Sequence, residues 1–317
     1  MFSILKILKD LSTYKSNKKT FVTIGTFDGI HIGHKKVIKN LVKSASLNNA
    51  TAVLLTFFPH PRMVLQKNAT IKLINTIDER IKLLKNTGLD LLVIHEFTEE
   101  FAKQTALSFV KTILVNKLNI SNLIIGYDHQ FGKNREGNFK QLEAYGKEYN
   151  FQVQKISQQD IDNSAVSSTK IRKAIENGEI EKANRYLGYS FMLTGKVVNG
   201  KNLGKKIGFP TANLNIKESY KLIPKTGAYV VKSEIENTTI FGMMNIGYRP
   251  TVSGRNQTIE IHFFDFNKDL YGKTIQIDIL SYLRDEQKFE SVEMLKKQLH
   301  KDKEKSQQII NGLFFDS

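Results

Sequence analysis

Along the first half of the chain, short, mainly apolar runs alternate with stretches in which apolar residues recur at helical spacing. The runs are Phe21 to Ile24, Ala52 to Phe57, Leu89 to His95, Leu123 to Gly126 and Phe151 to Ile156. Each has the length of a strand buried on both faces. Between them, Val37, Ile38, Leu41, Val42 and Ala45 predict a helix over 35–47. Further helices are predicted over 78–87, ending at Gly88, from Thr98 as its cap to about Leu118, and over 139–149. Residues 1–19 read as a short amphipathic helix with a lysine-rich lead-in. Alternation of this kind predicts an α/β domain built on a parallel sheet.

The pattern changes after Leu187-Gly188. Strands are predicted over 191–198, 212–216, 228–236, 239–245, 258–266 and 274–283, separated by glycine and asparagine turns without intervening helices. That argues for an antiparallel barrel or sandwich. An amphipathic helix from Phe289 to about Leu313 closes the chain. The expected architecture is therefore a Rossmann-like parallel-sheet domain over 1–186 and a β-barrel with a C-terminal helix over 187–317.

Composition adds limits. At 317 residues the chain has the length of two domains. With no cysteine, thiolate nucleophiles, disulfides and cysteine-ligated metals are excluded. The early lysines Lys6, Lys9, Lys15, Lys18 and Lys19 leave no room for a signal-peptide apolar region, and no run approaches membrane-spanning length. The expectation is a soluble cytoplasmic protein. A net charge of +16, from 47 Lys+Arg against 31 Asp+Glu, raises nucleic-acid binding as an alternative. The lysines are spread along the whole chain without interleaved aromatics, so a solvated lysine-rich surface is the preferred reading.

Candidate chemistry gathers where the apolar runs end. In a parallel sheet ligands bind at the carboxyl ends of the strands. The first run leads into GTFDGIHIGH, Gly25 to His34, in which Gly25, Gly29 and Gly33 permit close backbone approach, and a helix opens near His34. His31 and His34 could donate hydrogen bonds to a phosphoryl oxygen. The second run ends in Pro59-His60-Pro61 and the fourth in GYDHQFGKNREG, with Asp128, Phe131 and Arg135. His60 reads equally as a solvent-facing loop histidine, and Arg135 as one more surface charge. After the fifth run, Ser167-Ser168-Thr169-Lys170-Ile171-Arg172 opens a helix. Its hydroxyls could simply cap that helix, or meet a triphosphate tail together with Arg172.

In the second half, GKNLGKKIGFPTAN, Gly200 to Asn213, offers glycines, lysines, a hydroxyl and an amide for ATP phosphates and magnesium. It lacks the GxxxxGK[ST] spacing of a P-loop and could be only a lysine-rich hairpin. NIGYRPT, Asn245 to Thr251, reads as a second irregular loop. Glu260 shares a strand face with His262 and Phe264, with Ile259 and Ile261 on the other. It is either a surface carboxylate or a general base aimed at a hydroxyl nucleophile.

Taken in order, GTFDGIHIGH, FFPHP, GYDHQFGKNREG and SSTKIR resemble the FMN adenylyltransferase module of the bacterial bifunctional riboflavin kinase/FMN adenylyltransferase (FAD synthetase) family, within the nucleotidylyltransferase superfamily. GFPTAN, NIGYRPT, IEIHFFDF with DLYG, and LRDEQKF resemble its riboflavin kinase module. The resemblance implies phosphorylation of riboflavin to FMN by ATP in the C-terminal half. AMP transfer from ATP to FMN, giving FAD and pyrophosphate, would follow in the N-terminal half. It implies His31 and His34 as catalytic groups, and Gly25, Phe27, Asp28, Gly33, Ser168, Thr169 and Arg172 at ATP. Pro59, His60, Pro61, Asp128, Phe131 and Arg135 would line the flavin crevice. In the kinase half it implies Gly204, Lys205, Gly208, Pro210, Thr211 and Asn213 at ATP, with Thr211 and Asn213 holding Mg2+, Glu260 as base and Arg284 beside the flavin. Two departures stand out: His129 where many members have Phe, and Lys205 where many have Arg. The open alternatives are a chain with one working half and a nucleic-acid-binding protein on the same scaffold.

Overall fold

The computed structural model describes residues 4–66, 71–126, 138–156, 166–200, 203–251 and 254–315. The chain divides into two compact units, Met1–Ser168 and Thr169–Ser317.

The first unit is a six-stranded parallel sheet in the order β1-β4-β3-β2-β5-β6. The strands are β1 (Lys6–Leu8), β2 (Thr20–Ile24), β3 (Thr51–Phe58), β4 (Leu91–Glu96), β5 (Ile120–Gly126) and β6 (Gln152–Ile156). Its helices are α1 (Ile32–Leu47), α2 (Pro61–Leu65), α3 (Ile77–Leu84), α4 (Glu99–Ala102), α5 (Ala106–Phe109) and α6 (Phe139–Tyr149), with a π-helical segment at Val110–Lys117. Two cores explain why the strands read as continuous apolar runs. Phe21, Leu54 and Leu92 join Ile38, Leu41 and Leu84 of α1 and α3 on one face. Val22, Val53, Leu55 and Val93 join Phe109, Leu114 and Leu142 on the other. Successive residues of a strand point to opposite faces, so a sheet covered on both sides takes apolar residues at most positions of its central strands.

Two expectations for this unit change. Residues 6–8 form an edge strand paired in parallel with β4, where a helix was predicted. Leu5 and Ile7 pack into one core and Leu8 into the other, an alternation that an extended chain satisfies and a helix does not. The long helix predicted from Thr98 is broken at 103–105. Thr98 caps α4 through the Phe101 amide at 3.0 Å, and Thr105 caps a new start through the Ser108 amide at 3.1 Å. The break lets Phe101 join a cluster of rings with Phe57, Phe97 and Phe109.

The second unit begins with α7 (Ser168–Glu176, whose first residue closes the first unit) and α8 (Ile180–Leu187). They precede a closed barrel in the order β10-β11-β8-β7-β12-β9. Its strands are β7 (Phe191–Val198), β8 (Ala212–Asn215), β9 (Gly227–Ile235), β10 (Thr238–Thr251), β11 (Gly254–Phe263) and β12 (Thr274–Arg284), with α9 (Leu203–Lys206) after β7 and α10 (Val292–Phe315) at the end. Closure removes the exposed sheet edges that a sandwich would keep. Ala228 and Val230 pack with Met243, Leu283 and Ile310 of α10, whereas the alternate residues Tyr229 and Val231 are fully buried on the opposite face. Two loop expectations are corrected here. NIGYRPT continues β10 in ladder with β11, and α9 interrupts the loop from Gly200 to Asn213.

Helix α8 is fixed to the barrel by Asn184. Its Nδ2 donates to the Ile279 carbonyl at 2.9 Å, and its Oδ1 accepts from the Phe191 amide at 2.7 Å. Asn184→Leu leaves both backbone groups unpaired and is expected to lower stability by about 1–3 kcal/mol, read as an earlier thermal transition by circular dichroism.

Candidate active sites

In the parallel sheet the chain runs from β2 outward to β3 and β4, then crosses back to β5 on the far side of β2. The reversal makes the carboxyl end of β2 a topological switch point, the usual place for a ligand in such a sheet. The segment leaving it is Gly25 to His34.

That segment has an unusual backbone. Phe27, Gly29 and Ile30 have φ of 47°, 92° and 35°. Positive φ costs glycine little, but it strains a β-branched residue such as Ile30. The turn is therefore held from several sides. Asp28, 1% exposed, accepts from the amides of Ile74 at 2.9 Å and Asn75 at 3.3 Å. Its own carbonyl accepts from the Ser168 hydroxyl at 2.7 Å. The Thr26 carbonyl accepts from Arg80 Nη1 at 2.8 Å and from the Thr56 hydroxyl at 3.1 Å. Gly25 is also close-packed, since a Cβ there would lie 3.1 Å from the Phe27 ring.

His31 caps α1, its Nδ1 accepting from the His34 amide at 3.3 Å. In the neutral ring the proton therefore sits on Nε2, free to be donated. The two imidazoles stack with centroids 3.6 Å apart, and Phe27 lies 4.9 Å from His34. His34 Nδ1 is buried and has no hydrogen-bond partner among the described residues. Gly33 is buried within the first turn of α1. Burial pushes the His31 ring down to about 4, against a smaller upward pull from Asp28. Burial, then His31 and Arg80, hold His34 well below the ordinary histidine range. Both rings are thus neutral donors at pH 7, in surroundings where a hydrogen bond to a developing anion counts for more than in water.

The other residues singled out in this half are placed as follows. His60 is buried and caps α2 through the Arg62 amide at 3.1 Å, so the solvent-facing alternative does not hold. Pro61 opens that helix, and Phe58-Pro59 is a cis peptide. Ser168, Thr169 and Arg172 lie in the first turns of α7. Asp128, His129, Phe131 and Arg135 lie outside the described residues. Sequence reasoning passed over Arg80 and Thr56. A cation on an amphipathic helix and a threonine in an apolar strand carry no signal until the chain is folded.

In the barrel, the chemistry-bearing side chains form one row. Glu260 on β11 is directly opposite Asn213 on β8 and Asn245 on β10, and directly paired residues project to the same face. The Thr211 hydroxyl donates to Glu260 Oε2 at 3.4 Å. His262 Nδ1 lies 2.8 Å from the Pro210 carbonyl, which places its proton on that nitrogen and holds the turn before Thr211. Gly204 closes on the same turn: a Cβ there would stand 2.2 Å from the Phe209 carbonyl oxygen. Gly208 has φ of 86°, open only to glycine at low cost. Lys205 is exposed on α9. Gly247 admits a further carboxylate, since a Cβ there would fall 2.3 Å from Glu286 Oε1 and 3.2 Å from Asn245 Nδ2. Arg284 is held by Asp302 of α10, through Nε at 3.0 Å and Nη2 at 2.7 Å, and lies 5.9 Å from the Phe289 ring.

A phosphate-suited turn at the switch point of a parallel sheet and a carboxylate-amide row on a closed barrel define a two-domain nucleotide-dependent transferase. Residues 13–170 match the family model described as FAD synthetase, and residues 187–310 the one described as riboflavin kinase. A protein of Buchnera aphidicola subsp. Schizaphis graminum named bifunctional riboflavin kinase/FMN adenylyltransferase is 37% identical over 303 residues, covering 94% of this chain and 96% of its own. The Bacillus subtilis (strain 168) protein of that name is 35% identical over 301 residues, covering 93% and 94%. A crystal structure titled as a macrolide-efflux protein from Streptococcus pneumoniae superposes with a TM-score of 0.87 at 31% identity, covering 96% of this chain and 99% of that one. Among the described residues here, no helix is long and apolar enough to cross a membrane. The chain belongs to the bifunctional riboflavin kinase/FMN adenylyltransferase family. Its C-terminal half phosphorylates riboflavin with ATP, and its N-terminal half transfers AMP from ATP to FMN.

The depressed His31 pKa has a measurable consequence. Unfolded, this histidine takes up a proton near pH 6.5; folded, it refuses one until about pH 4. More protons are bound by the unfolded chain in that window, so stability falls as pH drops through it. His31→Asn keeps a capping group and is expected to flatten the fall, measured as urea midpoints between pH 4 and 7.

Proposed function

We propose that residues 1–186 carry the adenylyl transfer and residues 187–317 the kinase reaction, with named residues in the following roles. In adenylyl transfer a phosphate oxygen of FMN attacks the α-phosphorus of ATP, and pyrophosphate leaves. No protein nucleophile is needed, only placement and stabilisation of charge. His31 and His34 donate to the phosphoryl oxygens at the reacting centre. Gly25, Phe27, Asp28 and Gly33 shape the turn that receives ATP, and Ser168, Thr169 and Arg172 serve the pyrophosphate. Pro59, His60, Pro61, Asp128, Phe131 and Arg135 line the flavin crevice. The observation that carries this reading is the stacked, neutral pair His31–His34 on a strained turn at the sheet's switch point.

In the kinase half, Glu260 takes the proton of the ribityl hydroxyl as that oxygen attacks the γ-phosphorus of ATP and ADP leaves. Gly204, Lys205, Gly208 and Pro210 cradle the nucleotide, and Arg284, held by Asp302, borders the flavin. Mg2+ fits the oxygen donors Thr211 and Asn213, which suit a hard cation. No group of three His, Asp or Glu able to hold a metal occurs among the described residues, so ATP phosphates and water would complete its shell. When bound, the ion neutralises phosphate charge. The use of ATP and the spread of lysines along the whole chain support a cytoplasmic enzyme with small-molecule partners and no specific nucleic acid.

The assay incubates the protein with riboflavin, ATP and magnesium and separates the flavins by chromatography. His31→Ala is expected to slow FAD formation roughly 100-fold or more while FMN accumulates; an unchanged FAD rate removes His31 from the mechanism. Glu260→Gln is expected to slow FMN formation by about 100-fold to 10,000-fold and to leave FAD synthesis from added FMN intact. Loss of both activities would mark a folding defect instead. Chelation of magnesium is expected to stop riboflavin phosphorylation.

A further inference from the structure

We propose that Arg80 is a positioning residue for adenylyl transfer, acting through the Thr26 carbonyl to fix the backbone that presents His31 and His34. This rests on the assignment of those histidines to the phosphates. Arg80 is on α3 and is only 2% exposed. Its Nη1 donates to the Thr26 carbonyl at 2.8 Å and to the Thr56 hydroxyl at 3.3 Å, and that hydroxyl donates to the same carbonyl at 3.1 Å. One backbone oxygen therefore receives two donors, one of them charged, and charge-assisted bonds are the stronger kind.

The position of that oxygen gives the arrangement its use. Thr26 immediately precedes Phe27, the first residue of the positive-φ turn, and Asp28 immediately follows it. Asp28 is tied to the amides of Ile74 and Asn75, which lead into the capping box of Thr76 and Glu79 at the start of α3. The one helix and its lead-in thus hold the chain on both sides of Phe27. The Phe27 ring lies against His34, and His34 stacks on His31. A shift at Thr26 passes through two ring contacts to both imidazoles. Burying a guanidinium carries a desolvation cost that a methionine filling similar space would avoid. The bonds to Thr26 and Thr56 give the charge a task that packing alone does not need.

The test uses the full chain, with FMN adenylylation and riboflavin phosphorylation measured on each preparation. Arg80→Met is expected to lower kcat for adenylylation between about tenfold and a hundredfold. The KM for ATP should stay within about threefold and riboflavin phosphorylation should be unchanged. Arg80→Lys keeps a charged donor and should recover most of kcat. Thr56→Val should lower kcat less, and its combination with Arg80→Met should be no worse than Arg80→Met alone, because both act on one carbonyl. A native kcat in Arg80→Met overturns the proposal. So does a rise in KM with kcat unchanged, which would mean that the guanidinium meets ATP itself. Should Arg80→Met fail to fold, Thr56→Val decides: a reduced kcat with an unchanged thermal midpoint supports the proposal, and a native kcat overturns it. If His31→Ala retains adenylyl transfer, the assignment beneath fails; if only Arg80→Met does, this inference alone fails.

Discussion

The buried carboxylate of Asp28 is the constraint on which the first active site depends. The turn from Gly25 to His34 places a phenylalanine and an isoleucine at positive φ, an arrangement a free peptide would abandon. It persists because Asp28 is buried and answered by two backbone amides, while the carbonyls on either side of Phe27 are each held by a side chain from elsewhere in the unit. Strain kept in this way can bring two imidazoles into face-to-face contact at the mouth of a parallel sheet. Burial then holds both rings neutral, against a smaller upward pull of Asp28 on His31.

The second site uses a different device. A closed barrel fixes register around its whole circumference, so residues far apart in sequence become neighbours by strand pairing alone. Asn213, Glu260 and Asn245 come from three strands and form a row because their pairings coincide. Fine adjustment comes from glycines: Gly204 admits the Phe209 carbonyl and Gly247 admits the Glu286 carboxylate, each at a distance no Cβ would allow. One half thus stores strain in a turn, and the other relies on ladder geometry.

Much of this was legible in the residues. The five apolar runs and the switch from helical to strand periodicity near Gly188 mark both architectures, because buried strands and amphipathic helices must pattern this way. The Gly-x-His-x-Gly-His spacing of Gly29 to His34 and the Pro210-Thr211-Ala212-Asn213 run marked the two candidate sites. What escaped was set by tertiary context. Lys6 to Leu8 is extended only because β4 offers an edge to pair with. The helix after Thr98 breaks because Phe101 is drawn into a cluster of rings that periodicity cannot show. Asn245 to Thr251 has the composition of a loop but is held as strand by its partner β11. Arg80 was invisible for the same reason: its meaning lies in a carbonyl 54 residues earlier.

Two separate active sites in one chain should be able to work on separate molecules. The direct measurement mixes the His31→Ala and Glu260→Gln proteins with riboflavin, ATP and magnesium and follows FAD over time. Neither variant alone should make FAD from riboflavin; the mixture should make it after a lag in which free FMN builds up. FAD formed from riboflavin at the native rate by either variant alone would contradict the assignment of one activity to each half.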